Sequence, residues 1–169
     1  MLYRQNRRGS FLVIVILGLF FIINLCDGQC CYGSDLCIKN NATLNCLRDN
    51  FDNLYSTNYA LFWSILKVAE RKAISCKSTA DTAAFLKLAS IKSTNAEFNE
   101  YLSETIENLA IKKSKCFLDS LSTLDWDAMA NIISLLKNPM FVEKQVIMKV
   151  FSKERNKKKY KRIMNIYLQ

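Results

Sequence analysis

Beyond residue 28 the chain has one glycine, Gly33, and one proline, Pro139. Two-residue β-hairpins and phosphate-cradling loops need backbone at φ > 0, which glycine supplies at least cost. A chain so poor in glycine is directed toward helices joined by short polar connections. Histidine is absent altogether. That removes Ser-His and Cys-His nucleophile pairs and most zinc hydrolase sites. The scarcity of glycine likewise removes the P-loop, the dinucleotide fingerprint and the nucleophile elbow.

The apolar periodicity is helical throughout. Phe51, Leu54, Tyr55, Phe62, Ile65, Leu66 and Ala69 recur at three- and four-residue spacing, interrupted only by Asn58, and predict one long helix over 47–75. A break at 76–79 follows, with Ser78 or Thr79 capping a second helix through about Ser90 whose inward positions are Ala84, Phe85, Leu88 and Ile91. Thr94 and Glu97 have capping-box spacing ahead of a helix over 95–111, in which Phe98, Tyr101, Leu102, Ile106 and Leu109 face inward. Its acids Glu97, Glu100, Glu104 and Glu107 are expected mostly in water. A short helix at 116–121 precedes one capped by Asp125, running to Lys137, with Met129, Ile132, Ile133 and Leu136 inward. Pro139 ends that helix and suits the first turn of another starting at Met140, where Val142, Val146, Ile147, Val150 and Phe151 keep helical spacing. The predicted fold class is all-α: a compact bundle or short irregular array of five to six amphipathic helices with a disulfide-stapled N-terminal segment.

Residues 1–28 read as a separate object. Arg4, Arg7 and Arg8 precede the uncharged run FLVIVILGLFFIINL at 11–25, short for a bilayer-spanning helix of about 20 residues. A basic leader, a short apolar run and small residues Cys26 and Gly28 describe a secretory signal cleaved after Gly28. The alternatives are an uncleaved N-terminal anchor and a periplasmic lipoprotein lipidated at Cys26, the latter disfavoured by the bulky Leu25. No later segment approaches membrane-spanning length, so past the leader the chain reads as soluble. Without Arg4, Arg7, Arg8 and Asp27, the 24 basic and 15 acidic residues fall to 21 and 14, a net charge of +7. The organisation is then signal peptide 1–28, cysteine-rich clasp 29–46, helical domain 47–151 and basic amphipathic tail 152–169.

The clasp, QCCYGSDLCIKNNATLNC, holds Cys30, Cys31, Cys37 and Cys46, and Cys76 and Cys116 follow. Six cysteines in a secreted domain of this size imply three disulfides, with fifteen possible pairings. Adjacent Cys30 and Cys31 are expected to bond different partners, and the clasp is expected to reach Cys76 and Cys116. A zinc site would favour C-x(2–4)-C spacings with histidine, and a redox site C-x-x-C. Past Gly28 the gaps within the clasp are none, five and eight residues, so neither spacing occurs there, and no metal and no cofactor are expected. Asn41-Ala42-Thr43 is an N-glycosylation sequon inside the clasp.

No catalytic constellation emerges. Ser64 with Lys67 and Ser134 with Lys137 match S-x-x-K, but the S-D-N and K-T-G partners of penicillin-recognising enzymes are missing, so both read as helix surface. Asp125 and Asp127 stand two residues apart, do not face each other on a helix and suit an N-terminal cap. Trp63 and Trp126 read as core or domain-edge aromatics.

The remaining signal is charge. Between Lys144 and Arg162 there are nine basic residues and one acid, Glu154. Lys157, Lys158, Lys159, Lys161 and Arg162 form the candidate polyanion-binding site, and in a secreted protein their partners are a glycosaminoglycan, an anionic membrane or an acidic receptor, not nucleic acid. Tyr160, Ile163, Met164 and Tyr167 return at helical spacing, as in an amphipathic tail that packs back or docks elsewhere. The layout is shared with helical cytokines, helical defence effectors and small ligand carriers, a likeness of architecture and not of motif. The expected function is secreted, non-catalytic binding of a protein or an extracellular polyanion. The alternatives are a carrier of an apolar small molecule lined by Phe51, Tyr55, Tyr59, Phe62 and Trp63, and a membrane-active effector acting through the tail.

Overall fold

The computed structural model describes residues 43–168. The leader, Cys30, Cys31, Cys37 and Asn41 lie outside the described residues, and so do the predictions attached to them. Among the described residues there are nine α-helices and no strand: α1 Leu44–Asp49, α2 Phe51–Thr57, α3 Tyr59–Ser75, α4 Thr79–Leu86, α5 Ala96–Lys112, α6 Ser114–Leu121, α7 Trp126–Lys137, α8 Lys144–Glu154 and α9 Lys161–Leu168. Short 3-10 turns at Lys87–Ser90 and Lys158–Tyr160 extend α4 and introduce α9. None of the described helices is long and apolar enough to cross a membrane.

The long helix expected over 47–75 is three. Asn50 and Asn58 both leave the helical region, at ψ of 31° and 65°. Asn58 Oδ1 accepts the Leu61 N–H at 3.1 Å, and Asn50 Nδ2 donates to the Cys46 carbonyl at 3.1 Å. A short amide side chain that satisfies helix-end groups offers the chain a corner, and two corners let the same apolar stripe wrap around a neighbour. Phe51, Leu54, Phe62, Ile65 and Leu66 are all buried.

Two other boundaries also moved. Asn95, not Thr94, caps α5, its Oδ1 accepting from the Phe98 N–H at 2.9 Å, and Glu97 serves no capping box because two tyrosines occupy it. The helix placed at Met140 begins at Lys144, because the amides of Met140, Phe141 and Val142 are engaged elsewhere. In α4 the buried face is Thr82, Ala83, Phe85 and Leu86, and Ala84 is exposed.

Packing centres on two helices. α4 lies between α3 and α6, and α5 contacts α6, α7 and α8, while α9 lies on α7. Edge-to-face ring contacts tie α2, α3 and α5 together: Phe51–Phe62 at 5.2 Å and Phe51–Phe98 at 4.6 Å. Tyr160, Ile163, Met164 and Tyr167 belong to the same continuous core, so the tail packs back onto the body. Burial of side chains of this size stabilises by about 1.5–3 kcal/mol each, against the entropy of ordering the segment.

Cys76 and Cys116 are bonded to each other across a sequence separation of 40, with Cα atoms 6.0 Å apart. This replaces the expected pairing of each with the clasp: the bond joins the end of α3 to α6 instead. Cys76 also occupies the left-handed C-cap of α3 (φ 53°), the one residue with positive φ among those described. Glycine normally takes this position. Here a cysteine holds it, at a cost of about 1–2 kcal/mol, with a covalent bond to keep it there. Cys46 is disulfide-bonded as well.

Candidate functional site

The five basic residues of the candidate site flank the start of α9 and are all exposed. They are not equivalent. Lys159 Nζ lies 2.5 Å from Asp119 Oδ1 on α6, which also accepts the Tyr160 hydroxyl at 2.7 Å. Burial raises the Asp119 pKa, but the hydrogen bonds from Lys159 and Tyr160, with the charges of Lys159 and Lys115, outweigh it and hold the carboxyl below its usual range. The Asp119 bond correspondingly raises Lys159 above the usual lysine value. Tyr160 is pushed up, chiefly by burial. Lys157 Nζ sits 2.5 Å from Glu154 Oε2, an ion pair without hydrogen-bond alignment. Lys157 and Lys159 therefore fasten the tail.

Lys158, Lys161 and Arg162 form no ion pair among the described residues. Lys158 lies on the 3-10 turn that leads into α9, and Lys161 and Arg162 open the helix itself. The Arg162 guanidinium lies over the Trp126 ring, with Cζ 5.1 Å from the centroid. A cation–π contact engages the charge without consuming the N–H donors, which can still bond an oxyanion. Trp126 opens α7 and is 54 % exposed, at the domain edge and not in the core. Asp125 beside it caps α7 by accepting from the Ala128 N–H at 2.9 Å.

A second carboxylate organises the opposite end of α7. Glu107 is 1 % exposed, contrary to the expectation that it faces water. Its Oε1 accepts from the Met140 N–H at 2.8 Å, and its Oε2 accepts from Phe141 and Val142 at 2.8 and 3.0 Å. These three bonds offset the burial of the charge and fix the loop after Pro139. They hold Met140 64 % and Phe141 47 % exposed.

Other polar clusters serve helix contacts. Tyr55 and Tyr59 donate to Glu97 at 2.7 and 2.6 Å, and these two bonds lower the Glu97 pKa. Tyr101 donates to Glu70 at the head of a cleft of about 250 Å³ between α3 and α5, floored by Ile74 and Leu109 and closed by Lys112 and Lys113. Burial, then the Glu70 carboxylate, raises Tyr101 above the usual phenol value. The aromatic face invoked for a carrier is packed ring on ring, Tyr55–Phe62 at 5.1 Å and Phe62–Trp63 at 5.4 Å; Phe51 and Phe62 are buried, Tyr55 and Trp63 half-buried and Tyr59 exposed. The S-x-x-K serines, Ser64 and Ser134, are exposed on α3 and α7.

Comparison of the chain with family models, with curated proteins and with solved structures gives no match in any of the three.

Proposed function

We propose that this chain is a secreted, non-catalytic helical protein that binds an extracellular polyanion through the basic face of its C-terminal segment. One observation carries the reading: the apolar half of that segment is in the core while its five cations remain on the surface. A flexible basic tail would attract anions only through net charge. A tail anchored by Tyr160, Ile163, Met164 and Tyr167 offers charges at fixed spacing, which lowers the entropy cost of engaging a ligand that is itself regularly charged. Attraction also draws on the surrounding excess of lysine and arginine over acid, which raises the association rate at low salt.

The test is retention on a heparin column. Replacing Lys157, Lys158, Lys159, Lys161 and Arg162 together with glutamine is expected to shift elution to markedly lower salt while circular dichroism stays helical. Retention unchanged by the five substitutions would refute the proposal.

A further inference from the structure

We propose that Trp126 and Arg162 together form a subsite for a sulfated sugar ring, so that the polyanion is a sulfated oligosaccharide and not a generic anion. This rests on the polyanion reading above and narrows it. Three observations converge. Trp126 is 54 % exposed at the start of α7, and the Arg162 guanidinium lies over its ring. The N–H edge of Arg162 has no carboxylate partner among the described residues, so it is open to a sulfate in bidentate fashion. Lys158 and Lys161 are exposed within four residues of Arg162 and form no ion pair among the described residues, whereas Lys157 and Lys159 are engaged by Glu154 and Asp119.

The chemistry of this surface favours a saccharide. An exposed indole face accepts the C–H side of a pyranose by apolar contact, and a large rigid ring provides area at small entropy cost. Asp125 and Asp127 flank Trp126 and are exposed. Their charge opposes a polyphosphate laid along the start of α7 and tolerates a neutral ring face there, with sulfates directed to Arg162, Lys158 and Lys161. Polyphosphate lacks the ring that Trp126 would contact.

The experiment compares three probes on the full folded protein: a heparin-derived hexasaccharide, inorganic polyphosphate, and vesicles of phosphatidylcholine with phosphatidylserine. Affinities are measured by calorimetry and sedimentation for the wild type, Trp126→Ala and Trp126→Phe. Trp126→Ala is expected to weaken hexasaccharide binding about tenfold while polyphosphate binding changes by less than about twofold, and Trp126→Phe recovers most of the loss. Equal effects of Trp126→Ala on hexasaccharide and polyphosphate, or no effect on either, would overturn the sugar subsite and leave the polyanion reading standing. A loss confined to the vesicles would overturn it in favour of a membrane-interface tryptophan. A wild type that binds neither hexasaccharide nor polyphosphate would refute both.

Discussion

Glu107→Ala removes the acceptor for three backbone N–H groups at once. Bonds to a charged acceptor contribute about 1.5–3 kcal/mol each, so a simple sum lies between about 4.5 and 9 kcal/mol. The loop is open to solvent at Met140 and Phe141, however, and water replaces part of what is lost. A net destabilisation of about 3–5 kcal/mol follows, the range also found when one member of a buried charged pair is removed. For a chain of this size that lowers Tm by about 10–20 °C. Glu107→Gln keeps an oxygen where Oε2 accepts from Phe141 and Val142. It turns an amide toward the Met140 N–H, so its loss is expected to be about half that of alanine.

The assays are thermal unfolding by circular dichroism and amide hydrogen exchange. In the wild type the amides of Met140, Phe141 and Val142 are expected to be protected despite lying in a loop, and in Glu107→Ala to exchange rapidly. An alanine variant melting within about 2 °C of wild type, or those three amides exchanging equally fast in both proteins, would refute the idea that the carboxylate holds the loop.

Further consequences follow from the same contacts. Serine at both Cys76 and Cys116 opens a crosslink with a sequence separation of 40, and the loss is about 4 kcal/mol on the chain-entropy account, seen as a lower urea midpoint. Asn58→Ala deletes the cap on Leu61 N–H at 3.1 Å and lowers stability by about 1 kcal/mol in the same assay. The Asp119 pKa is depressed on folding, so its bonds stabilise the docked tail above the ordinary value of 3.8 and that share is lost as pH falls through the folded value. Lys159 is raised, so its share is present below 10.5 and fades only above it. Tyr160 fluorescence or amide exchange in α9 is expected to report loosening of the tail below about pH 4, and Asp119→Asn to remove that dependence.

Most helices were legible because an amphipathic helix announces its buried face by spacing alone. α7 is the clearest case: Met129, Ile132, Ile133 and Leu136 were expected inward, and all are buried. The errors fall where a side chain competes with the periodic signal. Asn58 interrupts the stripe of α3 and is the corner itself, because a polar residue at a core position is also a helix-end signal. α5 was read with one buried stripe, but Ser103, Thr105, Glu107 and Ala110 are buried beside Leu102, Ile106 and Leu109. A helix surrounded by α6, α7 and α8 has little face left for water, and periodicity cannot reveal how many neighbours a helix has.

The basic site was legible as composition and illegible as geometry, and the difference has one physical cause. Charge density is local in sequence, so the block from Lys157 to Arg162 was visible without a fold. Lys157 pairs locally with Glu154, but the pairing of Lys159 depends on Asp119, which lies 41 residues from Tyr160, and the contact of Arg162 depends on Trp126 at the start of another helix. A surface ion pair such as Lys159 with Asp119 is too weakly stabilising to direct folding, so no sequence pattern is needed to create it. Burial of Tyr160, Ile163, Met164 and Tyr167 directs the docking, and the pairing of charges follows from where that burial places them. The division of five cations into two that fasten and three that face outward is thus a product of apolar packing, and a change in the core residues of α9 would alter the site without touching a charge.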